Sequence, residues 1–325
     1  MTLALRDTSD TARNRLSGIL SITTGMVMFS LTDMSIKFLS GGYALHQIIM
    51  IRSLIALTIL CGVIMPMQGG WVLMRTRRPL MHLARGVCVV AANLFFFASL
   101  AAMQLAEAVA ISFVSPLLIT VFSVIFLRES VGPRRWAAVA VGMAGVIIML
   151  RPGTEAFRYV ALLPLAGAVA YAALNTMTRR MGGTEAAITL SFYIHLTFLV
   201  VSGLMGLSVG DGRFAGTGNA SADFLLRAWI WPSPGDWLIL IVIGLTSAVG
   251  SVMVSHAYRT CAIALVAPFE YIAMPLAVIW GVVVFDDWPD AVAWTGIILI
   301  VSGGLYMIWR ETRTRGLPPV PRARR

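Results

Sequence analysis

The sequence predicts an all-α membrane protein: ten transmembrane helices in two inverted five-helix repeats. Three observations carry this. The chain is 58% hydrophobic and 12% charged, with mean hydropathy +0.83. A soluble domain carries about a quarter charged residues, because its surface must be covered by polar groups. Several windows of about 20 residues are almost free of charge, the length that crosses a hydrocarbon core of roughly 30 Å. The third observation is an internal similarity between the two halves of the chain.

The apolar segments run about 17–38, 45–65, 79–102, 106–127, 135–150, 159–179, 186–207, 237–258, 262–284 and 290–309. Residues 1–16 form a polar tail. The first segment is too long for a signal-peptide core and no A-x-A-like site follows it, so it is a retained helix. The 208–235 connection, rich in Gly, Ser, Ala and Asp, is expected to be a flexible external loop with a short surface helix near FLLRAWIW (224–231). Residues 311–325 form a basic tail that can touch anionic headgroups.

Basic residues fix the orientation. With both termini in the cytoplasm, eighteen Lys and Arg fall on the cytoplasmic side against five outside, Lys37, Arg151, Arg158, Arg213 and Arg227. The formal charge of +10 therefore follows from topology in a cell inner (plasma) membrane. No basic run interleaved with aromatics calls for a nucleic acid. Cys61, Cys88 and Cys261 lie in apolar segments, and their spacing matches neither a metal motif nor a disulfide framework. No cofactor is expected, and the oligomeric state is left open.

FSLTDMSIKFLSG (29–41) aligns with YAALNTMTRRMGG (171–183) at an offset of 142; later the offset is 158, matching Gly86 with Gly244, Glu129 with Asp287, Trp136 with Trp294 and Gly145 with Gly303. The long loop absorbs the change. The repeats are thus 17–153 and 154–310. Five helices per repeat is odd, so the second copy is inverted, the recurrent plan of secondary transporters.

Residues 105–153 resemble the hallmark half of an EamA-type carrier of the drug/metabolite transporter superfamily. The features are an Ala-rich start, Pro116 in mid-helix, Glu129 at a helix end, Trp136, and a small-residue helix ending in Arg151-Pro152-Gly153. In the second half, Asp286-Asp287 stands at the acidic position and Met274-Pro275 near the proline. The resemblance spans 17–310 and implies ten helices, a central cavity and alternating access. Relatives carry amino acids, riboflavin, S-adenosylmethionine, carnitine-like compounds, sugars or purines, in either direction.

Charges inside apolar helices mark pathways or paired structural sites. Glu270, bracketed by Pro268 and Pro275, lies roughly 12 Å into its segment at 1.5 Å per residue and meets Ser112 in the other half. It either binds a cationic or hydroxyl group, carries a coupling proton, or pairs with a structural base. Asp33 and Lys37, four residues apart, can pair on one helix face. Arg52 and Arg85 either snorkel to the interface or face inward to a carboxylate or phosphate. His256 and Tyr258 either line the path or are core residues. Asn93, Phe95–Phe97 and Tyr271 can stack on a flat ring or simply pack. Glu129, Asp287, Trp136 and Trp294 are scaffold candidates.

The expected function is a secondary active transporter of a small polar metabolite, with riboflavin, amino acids or S-adenosylmethionine as candidate cargo and protons as a possible coupling ion. The alternatives are a membrane-embedded enzyme or sensor, or a channel. No G-x-x-x-x-G-K-[ST], H-E-x-x-H or G-x-S-x-G motif supports ATP drive or an enzyme.

Overall fold

The computed structural model describes residues 2–76, 78–127, 132–151, 159–181, 186–260 and 267–315. Among them all regular structure is helical. The helices are α1 (Thr2–Leu39), α2 (Leu45–Ile59), α3 (Met65–Gln68), α4 (Pro79–Leu100), α5 (Leu105–Ser112), α6 (Ser115–Leu127), α7 (Pro133–Leu150), α8 (Leu162–Met181), α9 (Ala187–Val209), α10 (Ala220–Leu226), α11 (Pro234–Thr260), α12 (Ala273–Phe285) and α13 (Ala291–Arg315). Seven stretches are long and apolar enough to cross a membrane. Three shorter apolar helices accompany them, Trp136–Leu150, Phe269–Phe285 and Ala291–Tyr306.

Prolines shape the interruptions. Pro116 has no N–H to return to Ser112, and the chain turns between α5 and α6. Pro275 likewise cannot bond Tyr271; residues Ala267–Ile272, which include Pro268, form a 3₁₀ helix before α12 begins. An unexpected feature is the π-helical turn Leu60–Ile64 that joins α2 to α3. Pro66 follows it and leaves Gly62 without its helical donor, a usual setting for such a turn.

The polar stretch 1–16 is continuous with the first span in one helix, α1, of which Leu16–Leu39 is apolar and long enough to cross a membrane. Two expectations about the long loop are corrected. The short helix of the long loop is Ala220–Leu226 rather than 224–231. Asn219 caps it, its side chain accepting from Ser221 N and Ala222 N at 3.0 and 3.1 Å. Phe224 is fully buried and anchors one face of this short helix, while Ala220 is exposed. The loop is not loose. Arg227 leaves the helix to donate to Ser40 O at 2.9 Å, Gln47 Nε2 donates to Ile230 O at 2.6 Å, and Tyr43 Oη donates to Asp236 at 2.6 Å.

The principal pairings are α1 with α11, α4 with α8, α2 with α9 and α7 with α13; α11 also packs on α2 and α4 on α9. Small residues allow the close approach, as in membrane bundles generally. A methyl at Gly145 on α7 would meet Gly296 O at 2.9 Å, and one at Gly303 on α13 would meet Ala138 O at 3.0 Å. Gly86 on α4 faces Thr197, and Gly244 on α11 faces Ile55. Gly25 on α1 abuts Gly250 and Val254, and Gly167 on α8 abuts Ala92 and Phe96.

Candidate functional site

Three charged or titratable side chains converge in the bundle. Arg52 on α2 is 4% exposed. Its guanidinium carbon lies over the rings of Phe198 on α9, at 4.8 Å, and Phe97 on α4, at 5.4 Å. Such contacts offset part of the lost hydration of a cation. They do not meet its Nε–H, which has no hydrogen-bond partner. Asp33 on α1 is half-buried, and its charge and that of Arg52 act on each other, yet the two do not meet as an ion pair. His195 on α9 is 5% exposed, lies within reach of the Arg52 charge, and has an Nδ1 with no partner. Burying a charge without completing its bonds is costly.

Lys37 does not pair with Asp33. Its Nζ donates to Met103 O at 2.7 Å and Leu100 O at 3.5 Å, forms an ion pair with Asp287 at 3.4 Å, and lies 5.0 Å from the Phe285 ring centre. The carbonyls at the end of α4 carry the negative end of a helix dipole, which favours a cation. Lys37 thus ties the ends of α1, α4 and α12, and Asp287 is its counter-ion.

Glu270 sits half-buried in the 3₁₀ turn, its charge felt by Tyr171 on α8 and by Tyr271. Tyr271 is buried, stacks on Phe113 with centroids 4.7 Å apart, and presses its hydroxyl against Gly304. Arg85 is buried near the start of α4. Asn93 spends its amide on Val89 O of its own helix, at 3.0 Å. His256 is exposed, with Nε2 3.5 Å from Ser17 Oγ at the α1–α11 seam. Trp136 and Trp294 point outward from α7 and α13. Glu129 and the Tyr258 side chain lie outside the described residues.

Of the expected pathway residues, the fold therefore brings Asp33 and Arg52 together. Sequence reasoning missed His195, Phe198 and Trp280, whose Nε1 donates to Ser30 Oγ at 2.7 Å. His195 carried the same signal as Asp33, a titratable group in an apolar helix.

Membrane-length helices around a buried charged cluster are an arrangement suited to a pathway for small polar molecules. Comparison makes this specific. Residues 16–151 match the EamA-like transporter family. A riboflavin transporter of Rhizobium johnstonii is 32% identical over 249 residues, 77% of this chain and 76% of that protein. An S-adenosylmethionine uptake transporter of Rickettsia prowazekii is 22% identical, covering 94% of this chain and 97% of that one. A pseudopaline exporter of Pseudomonas aeruginosa is 26% identical over 88% and 93%. A solved crystal structure superposes with a TM-score of 0.61 at 19% identity, covering 92% of this chain and 99% of the other, which supports the fold. The chain belongs to the EamA-like transporter family of the drug/metabolite transporter superfamily.

Proposed function

We propose that this protein is a secondary active transporter that carries a small polar metabolite across the bacterial inner membrane by alternating access, with riboflavin as the first cargo to test. The observation that carries the proposal is the buried Arg52 beside Asp33 and His195, a charged cluster whose bonds the protein does not complete. Riboflavin leads because the relative at 32% identity bears that name. S-adenosylmethionine is the second candidate, since the relative of that name aligns over 94% of this chain.

Ten spans, both termini cytoplasmic, in repeats 17–153 and 154–310 give the proposed frame. Its support lies in the helix contacts. Under the offsets of 142 and 158, the Gly145–Gly296 contact corresponds to Gly303–Ala138, Gly86–Thr197 to Gly244–Ile55, and Gly25–Gly250 to Gly167–Ala92. The α1–α11 pair exchanges with α8–α4, while α2–α9 and α7–α13 exchange with themselves. This exchange supports two halves related by a two-fold axis, and the odd number of helices proposed for each half would lay that axis in the membrane plane.

Glu270 and Asp33 are the proposed carriers of a coupling proton. A carboxylate that changes exposure between two states supplies the differential affinity that moves such an equilibrium. The test is uptake by purified protein in liposomes. Saturable accumulation of riboflavin or S-adenosylmethionine, strengthened by an inward proton gradient, is expected. Flux that rises linearly with concentration would point to a channel instead.

A further inference from the structure

We propose that Arg52 and His195 form a forked receptor for a pair of coplanar acceptors on the transported molecule, with Asp33 taking a donor beside that pair. The inference rests on the transporter proposal and names the chemistry its cargo must present.

Arg52 is fixed by its surroundings. Its guanidinium carbon lies over two phenyl faces, Phe97 and Phe198. Bonds to an arginine form in the plane of the guanidinium, where its N–H groups point as a rigid fork. The Nε–H of that fork is unmet although the residue is almost wholly buried. Nε and one Nη form an edge with two parallel donors, which matches two acceptors held in one plane. Lysine in the same place would offer a point charge without the fork.

His195 lies one turn before Phe198 on α9, the helix whose Phe198 ring faces the Arg52 guanidinium at 4.8 Å, and adds a second buried, unmet group, Nδ1. A neutral imidazole presents one donor and one acceptor, so it can bond a substituent next to the acceptor pair. Asp33 does not close the fork by an ion pair and is half-buried. Its carboxylate remains a complement for a donor on the same molecule. The cluster holds one guanidinium and one carboxylate, so it suits a ligand that offers acceptors and a donor on adjacent atoms. Two sources carry that pattern. One is the pyrimidine-dione edge of a flavin-type ring, with ring nitrogen and carbonyl oxygen in one plane and an imide N–H beside them. The other is an α-amino carboxylate.

The test is ligand binding by the purified full-length protein in detergent, read as thermal stabilisation and as equilibrium binding. The probes are riboflavin, S-adenosylmethionine, decarboxylated S-adenosylmethionine and benzoate, in wild type, Arg52→Lys, Arg52→Gln and His195→Gln. At least one of riboflavin, S-adenosylmethionine and benzoate is expected to bind wild type, with affinity falling about 10- to 100-fold in Arg52→Lys, the scale of lost hydrogen bonds to a charged group. Riboflavin binding that is lost in Arg52→Lys assigns the ring edge. S-adenosylmethionine binding that is lost both in Arg52→Lys and on decarboxylation assigns the carboxylate, and needs no variant for its second arm. The proposal is overturned if none of the three binds wild type, if Arg52→Lys binds as tightly as wild type, or if decarboxylation leaves binding unchanged where riboflavin does not bind. Uptake into liposomes that persists with unaltered affinity in Arg52→Lys keeps the transporter proposal and removes the fork.

Discussion

Arg52 and Glu270 are charges without counterparts: under the two offsets their equivalents are Ile194 and Ser112. Asp33 meets Asn175, which keeps polarity but not charge. A duplicated scaffold explains the glycines, whereas these side chains depart from it, as expected of groups that recognise a cargo lacking the protein's symmetry. Glu270→Gln is expected to flatten the pH dependence of uptake while leaving the protein folded. An unchanged pH profile would remove its proton role. These charges were legible in the sequence because an ionised group in an apolar helix is costly. The pairing was not. Spacing along one helix suggested Asp33 with Lys37, whereas Lys37 turns to Asp287, a partner 250 residues away in the chain. Local spacing competes with helix-end carbonyls and a second acid, and only the fold brings those near. Lys37→Met is accordingly expected to destabilise the protein by about 2 kcal/mol, the scale of lost charge-assisted bonds. Asp33→Asn should change the melting temperature much less, and equal losses would contradict this partition.

At the scale of elements, breaks were easier to foresee than lengths. Pro116 and Pro275 each remove a helix donor, and the interruptions fall where the sequence places them. The π turn at Leu60–Ile64 has no signature in the hydropathy pattern, which shows only an apolar segment over about 45–65. The loop 208–235 looked flexible by composition, but its backbone and side chains are bound to α1, α2 and α11 through Arg227, Gln47 and Tyr43. The other connection at this level is held by Arg151, which donates to Asp290. That bond, with the Ala293 N–H, holds the Asp290 carboxyl below its ordinary value. A carboxyl depressed in the native state contributes stability above its ordinary pKa, near 3.9, and loses it as pH falls through the lower native value. Arg151→Ala should therefore lower stability at neutral pH, by less than about 1 kcal/mol because the pair is partly exposed. The difference from wild type should shrink in strong acid, as melting curves across pH will show.

For the whole molecule, composition set the class and the internal offsets suggested the plan. Close contacts then carry the plan further than sequence similarity does, since Gly145 and Gly303 each reach a backbone carbonyl at corresponding places. Carbonyls of a packed helix cannot withdraw as a flexible side chain can. Gly145→Leu and Gly303→Leu should each cost about 1–3 kcal/mol, the usual range for overpacking, and by similar amounts if the halves are equivalent. The cargo stayed illegible, because the proposed site is assembled by four helices meeting around Arg52, not by any continuous motif. The most direct measurement is counterflow in liposomes loaded with unlabelled riboflavin or, in parallel, S-adenosylmethionine. A carrier that alternates access around Arg52 predicts a saturable, transient accumulation of the labelled cargo that Arg52→Gln abolishes. Flux that never saturates, or accumulation of neither compound, would contradict it.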